Sequence, residues 1–160
     1  MQEILPPTKF AYNYDKKSLF LAGSIEMGTA IDWQSAVVSA LADVDGYLFN
    51  PRRKDWDASW TQSIDNPQFN EQVNWELKHL LGSTHVLFNF VGGTQSPITL
   101  LELGLVTGGT FYQDEEPQEI LVICPDNFWR KGNVDIVCER WRIRVEDKFD
   151  LDMIKGWINE

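Results

Sequence analysis

The residue best placed by type and surroundings to do chemistry is Glu102, a lone carboxylate in the run SPITLLELGL over 96–105. Ser96 is a favoured helix N-cap and Pro97 suits the first helical position. Glu102 therefore falls about one and a half turns into a helix. Its helical neighbours are Ile98, Thr99, Leu105 and Val106, so no lysine or arginine on the same helix can pair with it. Burying an unpaired carboxylate is costly. Either Glu102 opens into a cleft, or a cation from elsewhere in the chain meets it. In apolar surroundings its pKa rises, which makes it a candidate acid, base or nucleophile.

Weaker candidates lie where short apolar runs end. Gly23 and Ser24 open the stretch GSIEMG over 23–28. Its two outer glycines have the frame of a phosphate-binding loop, but Thr29-Ala30 stands where Lys-Ser/Thr is required, and no G-x-G-x-x-G is present. What remains is a turn whose backbone N–H groups and Ser24 hydroxyl can hold ligand oxygens; a plain strand-to-helix turn is the alternative. Asn50, Pro51, Arg52 and Arg53 follow a second run, and a guanidinium there can take a phosphate or carboxylate or simply pair with the acidic surface. Trp56 and Trp60 either stack on a planar base or pack in the core. Glu76 reads as a solvated helix charge or a second site carboxylate. Asn89 ends a third run, and Asn133 reads as a helix N-cap. His85 opens a strand and Cys124 ends one; a Cys-His nucleophile built from them would need a third, orienting group.

The chain as a whole narrows the function classes. It has 160 residues with 14 Lys+Arg against 24 Asp+Glu, a net charge of −10. That balance opposes nucleic-acid binding, which needs a basic stripe. No apolar run reaches the roughly 18 residues of a membrane span, and the opening MQEILPPTKF has no signal-peptide core. Two cysteines and two histidines cannot build a four-ligand zinc site unaided. The expectation is a single cytoplasmic domain over 1–160, with no metal, cofactor, nucleic acid or membrane partner.

Positioning these residues falls to alternating elements. Strands are expected over 18–22, 47–49, 84–91 and 119–124, with an edge strand over 142–145. A helix starts near Thr29, with Asp32 three residues on in a capping-box-like pattern, and presents Trp33, Ala36, Val37, Ala40 and Leu41 on one face. Further helices are expected over 68–81, with Val73, Leu77, Leu80 and Leu81 inward, and over 96–107, 133–140 and 149–158. Residues 52–66 form a long loop. Apolar strands alternating with helices predict a three-layer α/β domain, an open parallel sheet of about five strands covered on both faces. Ligands of such sheets sit beyond the carboxyl ends of the strands.

Together these residues resemble the nucleoside 2-deoxyribosyltransferase-like family. The matching stretches are FLAGSIEMGTA at 20–30, FNPRR at 49–53, DWDASW at 55–60, WEL at 75–77, GTQSP at 93–97, LELG at 101–104 and FWRKGNVDIVCER at 128–140. The resemblance implies a flavodoxin-like sheet of order 2-1-3-4-5 and a homodimer or larger homo-oligomer. It also implies that Glu102 attacks the anomeric carbon of a (deoxy)nucleoside or nucleotide, forming a covalent glycosyl intermediate that another base or water resolves. Gly23 and Ser24 would floor the site, and Asn133 would reach the sugar of a neighbouring subunit. Asn50, Arg52, Trp56, Glu76, Asn89 and Ser96 complete the expected substrate contacts.

Two positions depart from that pattern. Relatives commonly carry aspartates where this chain has Asn89 and Ser96, and neither can donate a proton as a carboxylic acid would. The acid is then Glu26, Glu76 or Asp57, or the base leaves without one, or turnover has been lost. Ser96 also resembles the serine with which related nucleotide hydrolases hold a 5′-phosphate. Competing readings are cleavage of the nicotinamide–ribose bond of NAD, a nucleotide-sensing module without turnover, and a flavodoxin-like electron carrier.

Overall fold

In the computed structural model, residues 1–13, 15–25, 31–53, 56, 57, 59–109 and 117–160 are described. Their elements run β1 (Gln2–Ile4), β2 (Ser18–Gly23), α1 (Trp33–Ala40), β3 (Tyr47–Phe49), α2 (Pro67–Gly82), β4 (His85–Asn89), α3 (Pro97–Gly109), β5 (Glu119–Ile123), α4 (Lys131–Trp141), β6 (Arg144–Glu146) and α5 (Leu151–Asn159). All strand pairings are parallel, in the order β1-β3-β2-β4-β5-β6. The five expected strands thus take the 2-1-3-4-5 order of a flavodoxin-like sheet. A sixth strand, β1, extends the β3 edge. It is three residues long with only Ile4 buried, too short to show a period.

The strands read as continuous apolar runs because each face of the sheet has its own core. In β2, Leu19 and Leu21 face one helical layer while Phe20 and Ala22 face the other. β4 and β5 alternate in the same way, with Leu87, Leu121 and Ile123 on one side and Val86, Phe88, Ile120 and Val122 on the other. One layer is α1 and α5, contributing Trp33, Val37, Leu41, Ile154, Trp157 and Ile158. The opposite layer is α2, α3 and α4, through Trp75, Leu80, Leu103, Val106, Val134 and Cys138. Period-two alternation with both faces covered is the pattern a three-layer sheet demands.

Three local expectations are corrected. Asp32 caps α1, its carboxylate accepting from the Ser35 N–H; Thr29 lies outside the described residues. Asn133 is not an N-cap: α4 begins at Lys131 after Arg130, which makes no side-chain capping bond. The buried face of α2 is Gln72, Trp75, His79 and Leu80, while Leu81 is exposed. The aromatic residues Phe10, Tyr12 and Phe49 explain that rotation. They cluster around His79, whose Nδ1 lies 2.6 Å from the Tyr12 hydroxyl and whose ring stacks on Phe49 at 4.1 Å. Ring stacking outweighs the leucines, and the turn brings Glu76 partway inward.

Candidate active site

The chain reverses direction across the sheet between β2 and β4, and their carboxyl ends meet where Gly23 pairs with Asn89. A Cβ on Gly23 would collide with the Asn89 carbonyl and the Trp33 ring, so only glycine allows this approach. The Ser24 N–H donates to the Asn89 carbonyl at 3.0 Å, and the Trp33 indole N–H donates to the Ser24 carbonyl at 3.1 Å. Asn89 and Ser24 are both buried.

Ser24 does not stand open to a ligand. Its hydroxyl lies 2.8 Å from that of Thr94 and 2.6 Å from that of Ser96, and it accepts from the Val91 N–H at 3.0 Å. Ser96 is buried, and its hydroxyl is also 2.9 Å from that of Thr94. Its backbone is left-handed at φ +46°, a strained conformation for a serine. The Ser96 carbonyl accepts from the Leu100 N–H, closing the first turn of α3. This hydroxyl trio therefore clamps the end of β2 to the entry of α3 and fixes the helix that carries Glu102.

Glu102 is half-buried on the flank of α3, between the inward face of Thr99, Leu103 and Val106 and the exposed Leu101 and Leu105. Among the described residues no cation pairs with it. Burial pushes its carboxyl up to about 8, and the negative charge of Glu76 adds to the rise. Glu76, half-buried on α2, is itself pushed up to about 7 by burial, partly offset by a hydrogen bond from Gln72. The charge of Glu76 thus acts on Glu102 although the two lie far apart in sequence. Poor solvation favours the protonated form of each.

Gln72, which no motif of the sequence singles out, organises the surroundings. It is 2% exposed, and its Nε2 donates to Glu76 Oε1 at 2.8 Å and to the Pro51 carbonyl at 3.1 Å. Arg53 donates to Gln72 Oε1 at 3.4 Å and lies over the Trp60 ring. Trp60 meets Trp56 edge to face at 5.1 Å, and the Trp56 indole N–H is buried without an acceptor among the described residues.

Arg52 is directed toward α1. Its Nη1 donates to the Ile31 carbonyl at 3.2 Å and to Gln34 Oε1 at 3.3 Å, with Asp32 3.9 Å from Nε. Gln34 is fully buried, and its Nε2 has no acceptor among the described residues. Asn50 donates to Glu3 and accepts from the Arg52 N–H. Asn50, Arg52 and Arg53 line a cavity of about 180 Å³ with Glu3, Asp32 and Ser35.

Asn133 is exposed and lines a separate cleft of about 310 Å³ with Leu100, Leu103, Gly104 and Arg130; Glu102 is not part of its lining. His85 and Cys124 lie at opposite ends of the sheet, since His85 begins β4 beside Glu119 and Cys124 follows β5. They form no dyad. Among the described residues no cluster of His, Cys, Asp and Glu could hold a metal ion, and no helix is long and apolar enough to cross a membrane. Glu26, Gly28 and Ala30 lie outside the described residues.

The family described as nucleoside 2-deoxyribosyltransferase like matches residues 16–128, from the start of β2 past the end of β5. The chain belongs to that family. Glu102, Glu76, the hydroxyl trio and the Asn50–Arg53 segment all fall within the family match, whereas α4 with Asn133 lies beyond it. No curated protein sequence matches the chain. A crystal structure of a conserved protein from Enterococcus faecalis V583 superposes with a TM-score of 0.60 at 10% identity, covering 90% of this chain and 98% of that one. At that identity the likeness concerns the fold.

Proposed function

We propose that the protein cleaves the N-glycosidic bond of a (deoxy)nucleoside or nucleotide through a covalent glycosyl-Glu102 intermediate, handing the sugar to another base or to water. The observation that carries this reading is Glu102 itself: a half-buried carboxylate that no cation pairs with among the described residues, its proton held more tightly by the charge of Glu76, in a chain of this family. An oxocarbenium-like transition state develops positive charge at C1′, and a poorly solvated carboxylate stabilises that charge more than water does. Gly23 and Asn89 close the floor, Ser24 and Ser96 fix α3, and the buried donors Gln34 Nε2 and Trp56 Nε1 favour a ligand with acceptors.

Arg52 and Asn50 beside the 180 Å³ cavity suit a substrate's polar end. We infer that the chain assembles as a homodimer or larger homo-oligomer through α3 and α4. Ile98, Leu101 and Leu105 recur on one face of α3 at 60%, 68% and 43% exposure, and Ile136 on α4 is 68% exposed. Large apolar side chains repeated on an outer helix face favour burial against a partner. Such contact would bring Asn133 toward a neighbouring subunit's substrate.

The test is incubation with ribo- and 2′-deoxyribonucleosides, their 5′-monophosphates and NAD, followed by chromatography for free base or nicotinamide. Free base, and a sugar adduct on the Glu102 peptide by mass spectrometry, are expected. Glu102→Gln abolishes both while keeping the fold. Release of nicotinamide from NAD alone moves the chain to the glycohydrolase reading, and ligand-induced thermal stabilisation without any product moves it to a sensing module.

A further inference from the structure

We propose that Glu76 is the proton donor to the departing base, held in place by the Gln72 amide that Pro51 and Arg53 anchor. The inference rests on the glycosidic reading of Glu102. A base anion is a poor leaving group, so a nucleophile alone leaves the reaction needing an acid. The carboxyl end of β4 offers Asn89, which has no acidic proton, and the Ser96 hydroxyl is bound in the trio with Ser24 and Thr94. Asp57 is exposed, and its hydrogen bonds from Ser59 hold its carboxyl below the usual range, so it is ionised when a donor is needed. Asp32 is committed to capping α1.

Glu76 has the opposite environment. It is half-buried on α2, near enough to α3 for its charge to act on Glu102, and one of its oxygens, Oε1, receives the Gln72 Nε2 bond at 2.8 Å. Gln72 cannot turn freely, because the same nitrogen donates to the Pro51 carbonyl while its oxygen accepts from Arg53. Glu102 from α3 and Arg53 from the segment after β3 are charged groups at this corner. Only the arrangement with Glu102 ionised and Glu76 protonated is productive; burial raises Glu102 further than Glu76, so this is the minor arrangement of the free protein.

In the first step a Glu102 oxygen forms a bond to C1′ as the C1′–N bond breaks. The bond electrons pass to the base nitrogen system, which takes the Glu76 proton and leaves as neutral base. In the second step the Glu76 carboxylate accepts a proton from water or from the N–H of an incoming base. That oxygen or nitrogen bonds to C1′, and the electrons of the C1′–Glu102 bond return to Glu102. Charge and protons balance without another reactant.

The experiment compares a purine nucleoside with its N7-methylated counterpart, whose base is already cationic and leaves without protonation. Both are assayed with wild type, Glu76→Gln and Glu102→Gln, on the sugar and phosphate state that wild type turns over. Glu76→Gln is expected to lose at least about 100-fold in kcat on the unmodified purine and under about 3-fold on the methylated one. Glu102→Gln loses turnover of both. Equal losses of Glu76→Gln on both substrates, or none on either, overturn the assignment while leaving Glu102 in place. No wild-type turnover on any nucleoside, nucleotide or NAD removes both readings. Should Glu76→Gln not fold, wild type decides: kcat on the unmodified purine falls as pH rises past the titration of Glu76, and on the methylated purine it does not fall. Parallel pH profiles overturn the proposal.

Discussion

Replacing Glu102 by glutamine should stabilise the protein at neutral and alkaline pH, and the size of the gain follows from burial. The Glu102 carboxyl is raised from 4.5 to about 8, first by desolvation and then by the charge of Glu76. A group whose folded-state pKa exceeds its unfolded value holds its proton more tightly when folded. Its contribution is fully present below about pH 4.5 and is lost as pH climbs toward 8. At roughly 1.4 kcal/mol per pKa unit, the ceiling of that loss is about 5 kcal/mol. Glu102 is only half-buried, so water reaches part of it and reduces the loss to about 1–3 kcal/mol. Glutamine keeps the shape and removes the charge. At pH 8 the variant should melt roughly 4–8 °C above wild type, taking about 2 kcal/mol and 2–4 °C per kcal/mol for a domain of this size. At pH 4.5 the two should melt together. The assay is thermal unfolding by circular dichroism in steps from pH 4.5 to 8.5, alongside the base-release assay. A difference that does not grow with pH, or a variant less stable than wild type at pH 8, would refute the reasoning, because Glu102 would then have a compensating cation.

Three further substitutions test other parts of the site. Gly23→Ala must push β2 away from the Asn89 carbonyl and the Trp33 ring, costing about 3 kcal/mol, and its melting temperature should fall by roughly 6–12 °C. Gln72→Met removes the bond that holds the Glu76 carboxyl down and leaves the Pro51 carbonyl without that donor. It should cost roughly 1–3 kcal/mol in denaturant titration and move the alkaline limb of the kcat profile to higher pH; a limb that stays put would show that Gln72 is merely structural. Leu101→Glu should convert the assembly to monomer in light scattering after size exclusion, with the melting temperature of the monomer fold little changed. A wild-type chain that is already monomeric would remove the interface.

Much of the fold was legible because its determinants are local. SLFLA at 18–22 and EILVIC at 119–124 can be buried on both faces only in a covered parallel sheet. Gly23 reads as a stop, and Glu102 among leucines announces itself by having no helical partner. β1 was not legible: three residues with one buried side chain become a strand only because the β3 edge is there to pair with. The turn of α2 was misread for a related reason. Counting leucines assigns the wrong inward face, since the aromatic cluster that captures His79 draws Phe10 and Tyr12 from a segment more than sixty residues earlier. With that face wrong, the periodicity leaves Glu76 open between a solvated charge and a site carboxylate.

The sequence by itself settled the element types, the five-strand alternation and the isolation of Glu102, because each depends on neighbours within one or two turns of chain. Only the tertiary structure decided that the charge of Glu76 acts on Glu102, that Gln72 spans Pro51, Arg53 and Glu76, and that Ser24 and Ser96 bind each other across 72 positions. Those relations are set by how α2 and α3 rotate against one face of the sheet. Rotation is fixed by packing summed over the whole layer, so no single stretch of sequence carries it.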